Sequence, residues 1–308
     1  VEQLYKPILG LSMLLIFGKT GQLAQSLAGL AQSSNIPVTA TARDTVDITD
    51  KSSIESVIKT VRPRLVVNAA AYTAVDLAET ERDQAEQANT LAPGLVAEVC
   101  ANSKVPMIHI STDYVFDGCK LKPYIESDQL SPVSVYGQTK AAGEARVRDA
   151  LEQHVILRTS WVYSRFGRNF VKTMINLAAT QPEISVVADQ TGCPTAADDV
   201  SSAIITVYQA MQQGITAWGT YHFAGTGITT WYDFAVRVID AQSAITGHCP
   251  QMRPISSREY PTAAQRPQNS ALSSDLFARK FGYRARPWHL AVKQTVDQLL
   301  KGKHSDIT

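Results

Sequence analysis

Through the first half of the chain, short β-branched or aliphatic runs alternate with longer stretches in which apolar positions recur every three or four residues. The runs predict strands at residues 13–17, 38–41, 65–68, 107–110 and 155–158, and the stretches predict helices at 22–31, 52–61, 84–101 and 133–151. Strands that are apolar throughout, instead of alternating with polar residues, suit a parallel sheet covered on both faces. The repeated strand-helix-strand rhythm predicts an α/β fold, a doubly wound parallel sheet of Rossmann-like type. Thr49 or Asp50 is placed to cap the second helix, because a short side-chain oxygen satisfies a free backbone N–H there. Arg62-Pro63 then ends it, since proline cannot continue the hydrogen-bond ladder.

After about residue 165 the rhythm changes. Helical patterns at 169–179, 198–213, 231–243 and 288–300 are separated by loops carrying Gly192-Cys193-Pro194 and Arg266-Pro267. The expected organisation is therefore a dinucleotide-binding domain over 13–165 and a smaller α/β C-terminal lobe over 166–308 that mainly binds substrate, with the chain free to cross back to the sheet. Residues 1–12 precede Met13, which opens the first strand, and they are expected to be an added or upstream extension.

Composition narrows the function classes. Apolar residues make up 44% and charged residues 19%, a globular balance. With 29 Lys plus Arg against 28 Asp plus Glu, no overall field recruits nucleic acid or a membrane surface, so an anionic ligand must be gripped by local groups. The stretch from Ile8 to Phe17 is too short to span a bilayer and runs into a glycine turn, which argues for a buried strand. Cys100, Cys119, Cys193 and Cys249 are scattered with no C-x-x-C spacing, which fits a reducing, cytoplasmic compartment and argues against a disulfide framework or zinc site.

Gly18-Lys19-Thr20-Gly21-Gln22-Leu23-Ala24 joins the first strand to the first helix. Glycines at such a junction let backbone N–H groups approach a pyrophosphate at the positive end of a helix. The G-K-[ST] ending of an ATP-hydrolysing loop is missing. An acidic residue at the end of the second strand usually holds the ribose 2′-hydroxyl of NAD. Here Val38 to Ala42 offers small residues, Arg43 follows, and Lys19 can add a second positive charge. A guanidinium matches a 2′-phosphate in charge and geometry, so NADPH is expected, with NADH left open.

Tyr136 and Lys140 lie four residues apart on a helical pattern, and therefore on one face. A phenol of ordinary pKa about 10 becomes a serviceable proton donor when a fixed cation favours its phenolate. Ser111 and Thr112 follow the fourth strand, at the sheet edge where α/β proteins bind ligands, and either hydroxyl can polarise a ketone for hydride attack.

With the glycine turn, the hydroxyl-bearing strand end and Tyr-x-x-x-Lys in that order, the chain resembles the extended, sugar-nucleotide branch of the short-chain dehydrogenase/reductase superfamily. Asn68 to Asp76, Ser111 to Phe116, Arg158 to Tyr163, Asp189 to Thr195 and Arg266-Pro267-Gln268-Asn269-Ser270 resemble, within that branch, the dTDP-4-dehydrorhamnose reductase family. The resemblance implies NADPH- or NADH-dependent reduction of the 4-keto group of dTDP-4-dehydro-6-deoxy-L-mannose to dTDP-L-rhamnose. It makes Tyr136 the proton donor, Lys140 its tuner and the holder of the nicotinamide ribose, and Thr112 the group that orients the carbonyl. Gly21, Gln22 and Leu23, with Gly18, face the pyrophosphate; Asp47, Ile48, Ala71, Tyr72 and Thr73 flank the cofactor; Asp113 and Trp161 contact the sugar; and Arg266 contacts the diphosphate. Some relatives hold magnesium through glutamates at a dimer contact, where this chain has Ser26 and Asp198, so no metal is expected and a homodimer stays open. Two other readings also stay open: a non-catalytic NADP-binding regulatory subunit, as this lineage supplies to methionine adenosyltransferase, and a reductase or epimerase of another nucleotide-linked keto sugar.

Overall fold

The computed structural model describes residues 13–301, and the extension expected over 1–12 lies outside them. Strands Leu14–Phe17 (β1), Val38–Thr41 (β2), Leu65–Asn68 (β3), Met107–Thr112 (β4), His154–Thr159 (β5) and Gly219–His222 (β6) form one sheet in the order β6-β5-β4-β3-β1-β2. Every pairing is parallel, with Leu14 opposite both Val38 and Leu65. The strand order reverses direction between β1 and β3, which is where doubly wound sheets open a crevice at their carboxyl ends.

Strict alternation within buried strands builds the two faces. Leu14 and Ile16 join Leu27 of helix Gln22–Ser33 (α1) and Ile204 of helix Ala197–Gln212 in one apolar layer. Leu15 and Phe17 join Ile54 of helix Lys51–Val61 (α2) and Val96 of helix Ala92–Ser103 (α3) in the other. Both faces are covered, so all four β1 residues are fully buried. A third apolar cluster, with Tyr163, Val171, Phe234 and Val292, packs helices Phe170–Ala178, Trp231–Thr246 and Trp288–Lys301 together beyond the sheet. Among the described residues no helix is long and apolar enough to cross a membrane.

Local chemistry sets the boundaries. Asp50, not Thr49, caps α2 by accepting from the Ser52 N–H, and Arg62 closes it in the left-handed conformation (φ +50°) ahead of Pro63. The helix expected over 84–101 is present without a break, as helix Arg82–Glu86, a wide π turn at Gln87–Leu91, and α3. The π turn lets Asn89 turn inward, where its side chain accepts from the Tyr72 N–H (2.9 Å) and donates to the Tyr72 carbonyl (3.0 Å). Sequence patterning did not find β6, helix Asp275–Phe281 or the paired strands Glu183–Val187 and Gln251–Ile255. These are short segments stabilised by distant neighbours, which leave little local periodicity.

Helix Val135–Ala150 (α4) is joined to the sheet by a buried ion pair. Arg158 of β5 donates to both oxygens of Glu144 (2.8 and 2.7 Å), and Ser111 of β4 donates to the same carboxylate (2.6 Å). Arg158 also reaches the His222 ring of β6 (3.3 Å), so one polar cluster ties α4 to β4, β5 and β6. Burial alone would raise the Glu144 carboxyl, but the Arg158 guanidinium holds it below its ordinary value.

Removing one partner of a buried pair strands the other charge. Arg158→Met is therefore expected to cost about 3–5 kcal/mol in urea unfolding, with most of the loss recovered when Glu144→Leu is added. Removing Lys51 from its exposed pair with Glu98 (3.2 Å) should cost less than about 1 kcal/mol. Equal losses in the single and double core variants would contradict the stranded-charge account.

Candidate active site

The crevice at the carboxyl ends of the strands is a cleft of about 960 Å³. The glycine turn forms one end. Gly18 sits at φ +98°, and a Cβ there would meet the Ala70 nitrogen at 2.8 Å, so only glycine allows the turn to approach the β3 loop this closely. The N–H groups of Gly18 and Lys19 donate to the Thr41 carbonyl (3.1 and 2.9 Å) and lash the turn to β2. Gly21 is the extended N-cap of α1 and brings no side chain to that helix end, which leaves backbone N–H groups for an anion. Gln22 anchors the turn from the other side, accepting from Ser164 (3.1 Å) and Asn169 (2.9 Å).

Of the residues expected from sequence, Gly18, Gly21, Gln22, Leu23, Arg43, Asp47, Ile48, Ala71, Tyr72, Thr73, Thr112, Asp113, Tyr136, Lys140 and Trp161 all line this cleft. Lys19 and Arg266 do not. The Lys19 backbone is committed to Thr41 and its side chain is exposed, leaving Arg43 as the cation of that end among the cleft-lining residues expected from sequence. Arg266 makes a two-pronged ion pair with Asp76 (2.7 and 3.0 Å) and so meets a carboxylate where a diphosphate was expected. That guanidinium holds the Asp76 carboxyl below its ordinary value.

The chemical end lies between β4 and α4. Strand β4 runs two residues further than the sequence pattern, so Ser111 and Thr112 belong to the strand itself. Ser134 caps α4 by accepting from the Gly137 N–H (3.2 Å), and Glu79 accepts from the Val135 N–H (2.9 Å). A Cβ at Gly137 would meet the Tyr114 carbonyl at 2.2 Å; its glycine lets α4 begin directly against the turn after β4. Tyr136 and Lys140 thereby face the cleft from successive turns.

Lys140 is buried, and its ammonium donates to the Ile110 carbonyl (2.7 Å) with the His109 ring at 3.4 Å. Burial brings it down to about 8, against the opposing influence of Glu144. The Tyr136 phenol is pushed up to about 12 by burial; the Thr112 hydroxyl lowers it and the Asp113 charge raises it. From sequence, the Lys140 ammonium is expected to lower this phenol. Instead the ammonium is engaged by β4, and the hydroxyl beside the phenol is Thr112.

Thr112 is itself occupied, accepting from the Tyr114 N–H (3.2 Å) and donating to Asp113 (3.0 Å). Asp113 also accepts from Ser160 (2.9 Å), and burial pushes it up to about 6 against the hydroxyls around it. Trp161 stands in the left-handed region (φ +46°), its ring stacked on Trp231 at 3.6 Å.

Sequence reasoning missed Thr41 and Thr159. Both line the cleft, at the ends of β2 and β5, and both have buried hydroxyls without a partner. The signal that marks them is the one that marks Thr112, a polar residue at a strand's carboxyl end. Gln84 and Gln87, expected only as helix, also line the cleft, as does Asp83 just ahead of the expected helix. Orphaned hydroxyls, an uncapped helix end and a turn with no room for a Cβ together fit a dinucleotide, and Arg43 lines the same cleft.

Comparisons with known proteins agree with this geometry. The family model described as the RmlD substrate binding domain matches residues 12–301. A dTDP-4-dehydrorhamnose reductase of Sinorhizobium fredii is 44% identical over 293 residues, 94% of this chain and 99% of the relative. The crystal structure of a dTDP-4-dehydrorhamnose reductase of Clostridium acetobutylicum superposes with a TM-score of 0.87 at 35% identity, covering 93% of this chain and 99% of that one. The enzyme of that name from Bacillus anthracis, solved in complex with NADP, gives 0.86 at 32% identity, covering 92% and 98%.

An uncompensated buried carboxylate should appear in stability. Because the folded-state value of Asp113 lies above its ordinary one, its protonated form favours folding, and stability falls as pH rises from the usual carboxylate range through about 6. Asp113→Asn should therefore be more stable than the parent at pH 8, by at most about 3 kcal/mol, and lose that advantage by pH 4 in urea unfolding. An advantage that does not change with pH counts against it.

Proposed function

The chain belongs to the dTDP-4-dehydrorhamnose reductase family, and from that premise we propose that it reduces the 4-keto group of dTDP-4-dehydro-6-deoxy-L-mannose to dTDP-L-rhamnose with NADPH. The observation that carries the reading is Tyr136 and Lys140 facing Thr112 at the carboxyl end of β4, in the same cleft as the Gly18 turn. The substrate partner is a nucleotide sugar, the enzyme is assigned to the cytoplasm, and the two expected lobes divide the work, 13–165 holding cofactor and most of the remainder facing sugar.

NADPH, when bound, supplies the hydride. Gly18, Gly21, Gln22 and Leu23 would hold its pyrophosphate, Arg43 its 2′-phosphate, and Lys140 its nicotinamide ribose. Tyr136 then gives its proton to the ketone oxygen as charge develops there. An alkoxide is a stronger base than a phenolate, so even a phenol raised to about 12 transfers the proton downhill. Turned from Asp113 to the phenol oxygen, the single hydroxyl proton of Thr112 favours the phenolate left behind. Trp161 and Asp113 form the wall against which the ring is placed. Reduction consumes one hydride and one proton and returns an alcohol, with Tyr136 reprotonated from solvent.

Purified protein supplied with the 4-keto sugar nucleotide should consume NADPH and form a dTDP-6-deoxyhexose identifiable by mass and NMR. Tyr136→Phe should lower kcat about 10²–10⁴-fold while cofactor affinity stays near that of the parent. A Phe variant that keeps the parental rate removes Tyr136 from the proton-donor role. Arg43→Ala should weaken NADPH about tenfold or more with little effect on NADH. Equal loss for both cofactors, measured by fluorescence titration, would take the 2′-phosphate away from Arg43.

A further inference from the structure

The reduction leaves one buried titratable group beside Lys140 unused. His109, on β4, is fully buried, and so is Asn68, which lies opposite it in the register of β3 with β4. The Asn68 amide nitrogen stands 3.4 Å from Nδ1 of the ring, and Nε2 on the other edge stands 3.4 Å from the Lys140 nitrogen. The three side chains form a polar row from β3 through β4 to α4, ending on a residue that lines the cleft.

The direction of each hydrogen bond in this row is set from its β3 end. The Ala70 N–H donates to the Asn68 amide oxygen (3.2 Å), which turns the Asn68 NH2 toward the ring. Nδ1 must then accept, and a neutral imidazole with an accepting Nδ1 carries its proton on Nε2. That proton points at Lys140. An amine takes it on its lone pair while still donating to the Ile110 carbonyl (2.7 Å), whereas an ammonium has no lone pair and meets it donor to donor. Moving the ring proton to Nδ1 shifts the conflict to Asn68, and turning the Asn68 amide over shifts it to the Ala70 N–H. The Ala70 nitrogen is itself packed against the Gly18 turn, where a Cβ would meet it at 2.8 Å. With Lys140 charged, one pair of donors is opposed wherever the protons are placed; with Lys140 neutral, none is.

We propose that His109 is a positioning residue for Lys140: the donor row from Ala70 through Asn68 and His109 is complete only when Lys140 is an amine, and it thereby sets the upper pH limit of the reduction. The proposal rests on the reductase reading, in which the Lys140 charge serves the site, and adds to it what governs that charge. The groups around Lys140 agree with it. Burial brings Lys140 down to about 8, and Glu144 on its own helix, held by Arg158 of β5, is the charge that favours the ammonium. Tyr136, one turn earlier, remains a neutral phenol in this range. The ring stays neutral as well, since burial, Lys140 and His154 of β5 all hold it well below its ordinary value.

Two measurements test it. By nitrogen-15 NMR of the free protein at about pH 9.5, above the Lys140 midpoint, the His109 ring should carry its proton on Nε2 and leave Nδ1 bare. Its signals, identified by their loss in His109→Gln, should titrate near pH 8 in step with Lys140, and that step should vanish in Lys140→Met. In Asn68→Ala the ring proton is free to move to Nδ1 and leave a lone pair for the ammonium, so the midpoint should rise by about one unit, a tenfold tighter hold on the proton. The decline of kcat/KM for the keto sugar nucleotide at high pH, with NADPH saturating, should move up with it. A purely structural loss would lower the rate at every pH and leave the midpoint in place. If Asn68→Ala does not fold, the position of the ring proton in the parent decides. A proton on Nδ1 in the parent overturns the inference, as does a folded Asn68→Ala whose midpoint stays or falls, and either result leaves the reductase reading standing. A parent with its ring proton on Nε2 that is inert toward the keto sugar nucleotide overturns that reading and, with it, the role of His109 in reduction.

Discussion

The site depends on a buried ammonium held by a strand carbonyl. Lys140 places its charge on the Ile110 carbonyl of β4, in a position with almost no water, and this contact sets how α4 lies against the sheet. Two glycines make the approach possible: at Gly137 a side chain would collide with the Tyr114 carbonyl, and at Gly143 with the Asn89 carbonyl. Once α4 is seated, Tyr136 can only arrive opposite Thr112, because helix pitch places it one turn before Lys140. The Glu144–Arg158 pair, one turn further on, anchors the same helix to β5.

Around that anchor the protein accepts features that a structure built only for stability would avoid. Asp113 is a buried carboxylate supported by hydroxyls, and the hydroxyls of Thr41 and Thr159 are buried without partners. Unsatisfied buried polar groups each cost about 1–3 kcal/mol. All three residues line the cleft at the strand ends, the place where bound ligand can supply what is missing. The same logic accounts for the Arg266–Asp76 pair, which satisfies a cation beside the cleft with a carboxylate from the β3 loop.

Much of the architecture was legible because it is written in local patterns. The run at β1 is apolar at every position, since each residue lands on one of two covered faces, while β2 and β3 are β-branched or aliphatic runs that carry the polar Thr39, Thr41 and Asn68; the bounds of all three follow the sequence within a residue. Gly18 to Ala24 and the Tyr136–Lys140 spacing were legible for a different reason: each is a chemical device whose parts must be close in sequence to work. By contrast, the wide turn at Gln87–Leu91 leaves no mark of its own, because its residues suit an ordinary helix and Asn89 is drawn inward only by the Tyr72 backbone. Strand β6 is four residues of mixed polarity whose strand character comes from pairing with β5.

By itself, then, the sequence determined the parallel sheet, the phosphate turn and the pairing of a phenol with an amine, because periodicity and short spacing are properties of neighbours along the chain. Only the tertiary structure decided which charges meet. It engaged the ammonium of Lys140 with a carbonyl, spent the proton of Thr112 on Asp113, paired Arg266 with Asp76, and brought Ser270 to Trp161 from more than one hundred residues away. A polar side chain has more candidate partners than it has hydrogen bonds to make, and the choice among them is made by packing, which places distant residues within about 3 Å of one another.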